Sequence, residues 1–316
     1  MALFRKASPS PKPILSTLPF LPEPPSTPTV NAVREAVARQ DWATARAQVL
    51  ATHPTLRSAP LGELADAVPY AWAQQQAVDP FGHTVAGAVA VVTGWRARTS
   101  KKSESVTRDQ FETLWQWLER ADQHLAQALA GEPTDPTPAI YSLATARGRQ
   151  KPLAEAEQAF AELKRRDPGN LEGHLQRLQY SCEKWFGSHD QMHGFANAVS
   201  ESAPLGSELH VLPLVAHVER LIAYSGDGAH AQQLAYVNTS AFLASVERAV
   251  TQLAPGTHGH RLAYNIIGYY AWIRADVSAF DAALGQVGCQ VTKWPWEMYG
   301  DDPVAVVKRR SFGRVG

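Results

Sequence analysis

The sequence predicts an all-α protein of stacked antiparallel helical pairs, on three observations. Apolar residues recur every three or four positions along most of the chain. Short turn signatures punctuate these runs, as at Asp167-Pro168-Gly169-Asn170, Phe186-Gly187-Ser188, Pro204-Leu205-Gly206, Ser225-Gly226-Asp227-Gly228 and Pro255-Gly256. Short helices joined by short turns pack as antiparallel neighbours. No stretch alternates with period two for long enough to form a sheet.

Residues 1–29 carry Pro9, Pro11, Pro13, Pro19, Pro22, Pro24, Pro25 and Pro28. Proline fixes φ and lacks a donor, so this segment is expected to be an extended, disordered arm. Its apolar Ile14, Leu15, Leu18, Phe20 and Leu21 are expected to dock on the body of the protein, with a partner as the alternative. Residues 30–132 form an N-terminal helical region. Val33, Val37 and Ala38 lead to a break at Gln40-Asp41. Ala45, Val49 and Leu50 follow, then Leu61, Leu64, Ala65 and Val68 before an interruption at Pro69. A helix is expected over 83–98, a polar loop over Thr99–Ser105, and a long helix from near Thr107 to Gly131.

The proline-rich stretch 132–138 is the expected boundary. Beyond it, 138–290 reads as a helical region with helices over 139–147, 152–166, 171–185, 189–202, 208–224, 229–253, 259–274 and 276–286. Residues 291–316 read as an irregular aromatic and basic segment.

Composition bounds the function. The chain has 316 residues, 45% hydrophobic and 19% charged, enough to bury a core. Thirty basic and 30 acidic side chains cancel, which argues against a surface that coats nucleic acid or anionic membrane. The two cysteines, Cys182 and Cys289, make neither a disulfide framework nor a CxxC pair and fit a reducing cytoplasm. The opening MALFRKASPSPKP has no long apolar stretch, so no secretory signal is expected. The most apolar run, Val85–Val92, is too short to span a bilayer, so no membrane is expected either.

Within 137–170, Ala156, Phe160, Leu163 and Pro168 fall at the spacing of the second helix of a tetratricopeptide repeat, with Ile140, Leu143 and Ala144 at first-helix positions. Leu163 replaces a small residue, and Arg147 stands where an aromatic is usual. Echoes occur at 264–287 (Tyr264, Ile267, Gly268, Leu284, with Phe280 in place of a small residue) and at Asp41-Trp42-Ala43-Thr44-Ala45. The chain thus resembles a degenerate tetratricopeptide-like α-solenoid. Trp185-Phe186-Gly187-Ser188-His189, Ala216-His217 and the tail Trp294-Pro295-Trp296 with Gly300 to Pro303 are similar to a bacterial helical domain family of unassigned function, which implies no activity.

His189 and His193 lie four apart, as two metal ligands on a helix would. However, Ser188 and Asp190 already read as an N-cap and a dipole-complementing carboxylate. His210 and His217, seven apart, read as core histidines on one helix face. His258 and His260 read as loop residues. No GxSxG, SxxK or phosphate-loop motif is present. The expectation is therefore a non-enzymatic, protein- or peptide-binding scaffold without a cofactor, with Trp185, Tyr264, Asn265, Tyr269, Trp294 and Trp296 as binding residues. For Trp294 and Trp296, a cap closing the end of the stack competes with binding. The alternative is an enzyme, or a metal- or ligand-binding protein, using His189, His193, His210 and His217.

Overall fold

The computed structural model describes residues 21–22, 28–99, 106–185 and 187–310, and α-helix dominates them. The chain forms two compact units, Pro25–Phe186 and Gly187–Gly316, the second joined by the N-terminal strand. The boundary therefore falls inside the expected repeat region 138–290. The expected arm up to Phe20, with Ile14, Leu15 and Leu18, lies outside the described residues.

The N-terminal unit holds α1 (Pro28–Ala38), α2 (Trp42–Ala51), α3 (Ser58–Ala67), α4 (Tyr70–Gln75), α5 (Pro80–Arg98), α6 (Arg108–Gly131), α7 (Thr137–Gly148), α8 (Leu153–Arg166) and α9 (Leu171–Tyr180). Helix α1 starts inside the expected arm because proline costs nothing in a first turn. Helix α5 starts ahead of position 83 because Asp79 caps it, accepting from the Gly82 amide at 2.6 Å. Helix α6 opens on a capping box of Thr107 and Gln110 and buries the stripe Leu114, Leu118, Ala121, Leu125 and Ala128. That stripe packs on α5, where a Cβ at Gly87 would stand 2.7 Å from Leu125 Cδ2.

The proline stretch 132–138 lies inside this unit, and it is pinned there. Asp135 is buried, pairs with Arg57 at 2.7 Å, and accepts from the Thr137 amide at 2.9 Å. Arg166 donates to the carbonyls of Leu129 at 2.9 Å and Asp135 at 2.8 Å, and also to that of Glu132. Arg166 thus satisfies the end of α6 and the turn beyond it.

The C-terminal unit holds β1 (Leu21–Pro22), α10 (His189–Ser202), α11 (Leu212–Ala223), α12 (Ala229–Tyr236), α13 (Ser240–Gln252), α14 (His258–Ile273), α15 (Val277–Gln286), β2 (Gln290–Val291) and α16 (Pro303–Arg310). Strands β1 and β2 pair in parallel, Leu21 opposite Gln290, and the Leu21 amide donates to the Cys289 carbonyl at 3.1 Å. This end of the arm docks in cis. The helix expected over 229–253 is two helices, because Thr239 caps a new start and accepts from the Phe242 amide. His258 and His260 sit in the first turn of α14, not in a loop. The segment expected to be irregular contains a 3-10 turn, Trp296–Tyr299, and α16. Both cysteines are buried. No described helix is long and apolar enough to cross a membrane.

One turn recurs in three helical pairs. Gln40, Gln150 and Ala275 have φ of 57°, 55° and 52°. The next amides, of Asp41, Lys151 and Asp276, each donate at 2.9 Å to the carbonyl five residues back, of Ala36, Ala146 and Ala271. This is the six-to-one bond of a Schellman cap, where glycine usually takes the left-handed position. The accepting alanines are buried, and their small side chains leave the returning helix room to pack closely. Gln150 is exposed, so Gln150→Gly relieves the left-handed strain without losing packing. It is expected to raise the free energy of unfolding by about 0.5–1 kcal/mol. Urea unfolding checks this; an unchanged or lower midpoint contradicts it.

Candidate functional site

The residues expected to line a groove on α14 are interior. Tyr264, Asn265 and Tyr269 are all buried. Asn265 donates from Nδ2 to the carbonyls of Arg261 and Gln290, both at 2.9 Å. Its Oδ1 accepts from the Thr292 amide at 3.2 Å and from Trp296 Nε1 at 2.8 Å. Trp296 is buried edge-on to Tyr269 and Phe280. It is a cap on α14 and α15, and its indole offers no binding surface. Trp294 is half-buried beside it.

The four candidate histidines do not converge. His210 lies in a 3-10 turn ahead of α11, so it shares no helix face with His217. Its Nε2 donates to the Pro204 carbonyl at 3.0 Å, and its Nδ1 meets the Ser200 hydroxyl at 3.2 Å. His193 and His217 do meet, with ring centroids 4.7 Å apart, and His189 stands one turn before His193 on α10. Among the described residues no three His, Cys, Asp or Glu side chains form a metal-holding group.

The His193–His217 contact belongs to a chain of hydrogen bonds through Tyr236 and Ser245, and one proton arrangement satisfies all of it. Ser245 donates its one proton to the Ala241 carbonyl at 3.0 Å. Its Oγ then accepts from His217 Nε2–H, 3.0 Å away. That leaves a lone pair on His217 Nδ1, which accepts from Tyr236 O–H at 2.7 Å. Tyr236 in turn accepts from His193 Nε2–H at 3.2 Å. Both imidazoles are neutral in this arrangement. Burial pushes the His217 ring down to about 3, and His193 is lowered mainly by burial as well. A serine nucleophile needs an imidazole that accepts its proton, and in this arrangement His217 instead donates to Ser245. A base as weak as His217 is also ill matched to chemistry near neutral pH.

A different cluster, in the N-terminal unit, combines partial exposure with large aromatic groups. Trp95 and Arg98 come from the last turns of α5, Phe111 and Trp115 from the start of α6, Arg147 from the end of α7, and Trp185 from the chain beyond α9. Trp95 and Trp185 meet edge to face at 5.7 Å. The Arg98 guanidinium lies 5.6–5.8 Å from the rings of Trp95, Phe111 and Trp185, and that of Arg147 lies 5.0 Å from Trp95 and 5.3 Å from Trp185. Burial lowers the pKa of Arg98. Trp115 is 41% exposed and anchored by a bond from its Nε1 to the Gly148 carbonyl at 3.0 Å. Glycine is needed there, since a Cβ at Gly148 would stand 2.3 Å from Leu118 Cδ1 and 3.0 Å from Trp95 Cζ2.

Of the residues singled out as a binding surface, only Trp185 belongs to this cluster. The signal for the rest was Arg147, the cation at a position where the repeat pattern has an aromatic. Its guanidinium lies against two indoles. No family model matches this chain, and no curated protein and no solved structure matches it.

Proposed function

We propose that this protein is a non-enzymatic, polypeptide-binding helical scaffold that engages its partner through the aromatic–arginine cluster of the N-terminal unit. The observation that carries this reading is the seating of Arg98 and Arg147 over Trp95 and Trp185, beside the exposed ring of Trp115. Tryptophan and arginine dominate the energetics of protein interfaces, and rings fixed in place lose little entropy on binding. The recurrent turn at Gln40, Gln150 and Ala275 supports a tetratricopeptide-like reading of the helical pairs. The two guanidinium groups of Arg98 and Arg147 make the cluster cationic. An acidic segment with apolar anchors is therefore the partner chemistry that suits it.

The test is quantitative affinity capture from the native cell with the full chain, followed by titration of the captured partner against wild type and Trp185→Ala. The expected result is a stoichiometric protein partner whose affinity falls at least about thirtyfold in the variant, the scale of a hot-spot truncation. A partner bound equally by Trp185→Ala, or one that is nucleic acid, contradicts the reading.

A further inference from the structure

We propose that His83 and His124 form a two-histidine site for a divalent transition ion of tetragonal preference, of the nickel(II) or copper(II) class. His83 stands in the first turn of α5 and His124 within α6, 41 positions apart in sequence. Pairing of these helices brings the two Nδ1 atoms to 3.0 Å, with ring centroids 5.3 Å apart and planes at 43°. Two nitrogens, each about 2.0–2.1 Å from a shared ion and this far from each other, subtend roughly 94°. That is close to the right angle between neighbouring ligands of a square-planar or tetragonal ion, and short of the tetrahedral angle preferred by structural zinc.

The far side of His124 is arranged as ligand support. Its Nε2 meets the Tyr70 hydroxyl at 3.1 Å. When Nε2–H donates to that oxygen, the lone pair of His124 lies on Nδ1, toward His83, as in metal sites where an outer partner fixes the tautomer of a ligating histidine. Tyr70 is itself held edge-on against Trp117, with centroids 4.9 Å apart. Asp79, one turn before His83, is committed to Arg46 at 3.0 Å and to the Gly82 amide. The remaining coordination positions therefore fall to water or to donors of a bound partner.

The experiment titrates the full chain with nickel(II) by calorimetry and records the electron paramagnetic resonance spectrum with one equivalent of copper(II). One equivalent of nickel is expected to bind, with two-nitrogen splitting on copper. His83→Ala and His124→Ala should each weaken nickel binding more than about 100-fold, and Tyr70→Phe, which keeps the ring and its packing, about tenfold. His230→Ala, an exposed histidine on α12, should leave the isotherm unchanged. Binding that is the same in His83→Ala as in wild type overturns the proposal. So does a Tyr70→Phe isotherm identical to wild type, which would reduce the pair to two histidines in ordinary hydrogen-bond contact.

Discussion

Asn265→Ala is expected to destabilise the C-terminal unit by about 3–5 kcal/mol, the largest single-residue effect in this unit. Asn265 is fully buried on α14, and its amide makes every bond it can form: two donated from Nδ2 and two accepted at Oδ1. These bonds tie the segment from Gln290 to Trp296 onto the helix. Alanine leaves the Trp296 indole N–H and the Thr292 amide without an acceptor in a buried setting, at about 1–3 kcal/mol for each orphaned group. It also leaves a cavity beside Trp296. Denaturant unfolding of the full chain measures the loss. A change below about 1 kcal/mol contradicts the role assigned to Asn265.

Acid should destabilise the same unit through His217, and the direction follows from its protonation. The ring is pushed from 6.5 down to about 3 in the folded chain, mainly by burial and then by His193. The unfolded chain therefore binds a proton in this window that the folded chain does not. Stability contributed by the neutral ring is complete above pH 6.5 and is lost as pH falls toward 3, at about 1.4 kcal/mol per pH unit. His193, lowered in the same sense, adds to the slope. Between pH 6.5 and 5, above the range where carboxylates titrate, His217→Gln should flatten the dependence by about one kcal/mol per pH unit or more. Parallel stability curves for wild type and variant contradict the neutral hydrogen-bond chain through Tyr236 and Ser245.

What the sequence made legible was local. Helix α6 could be read because its cap and its apolar stripe are both encoded within its own length. The turn at Gln40-Asp41 was legible because Asp41 is a strong N-cap, and it accepts from the Thr44 amide at 3.1 Å. The break between α12 and α13 was hidden, because Tyr236 and Val237 continue the apolar period across it. Asn265 and Tyr269 show why burial on an apolar helix is ambiguous. A polar or aromatic side chain fits a groove or a satisfied interior equally well until the segment that covers it is known. Here the cover is Gln290–Trp296, 25 to 31 positions away. His83, His124 and Tyr70 were missed for the same reason. Their meeting depends on how α4, α5 and α6 pack, over separations of 41 and 54 residues. The proline stretch 132–138 read as a boundary because its prolines are visible in sequence, whereas Arg57 and Arg166, which pin it, are remote.

The most direct measurement of the central claim is amide hydrogen exchange on the full chain, alone and saturated with its captured polypeptide partner. Binding through the aromatic–arginine cluster predicts slowed exchange at the end of α5 around Trp95–Arg98, at the start of α6 around Phe111–Trp115, and at the end of α7 around Arg147, with α14 unchanged. Protection confined to the C-terminal unit, with these three segments exchanging as in the free chain, would contradict it.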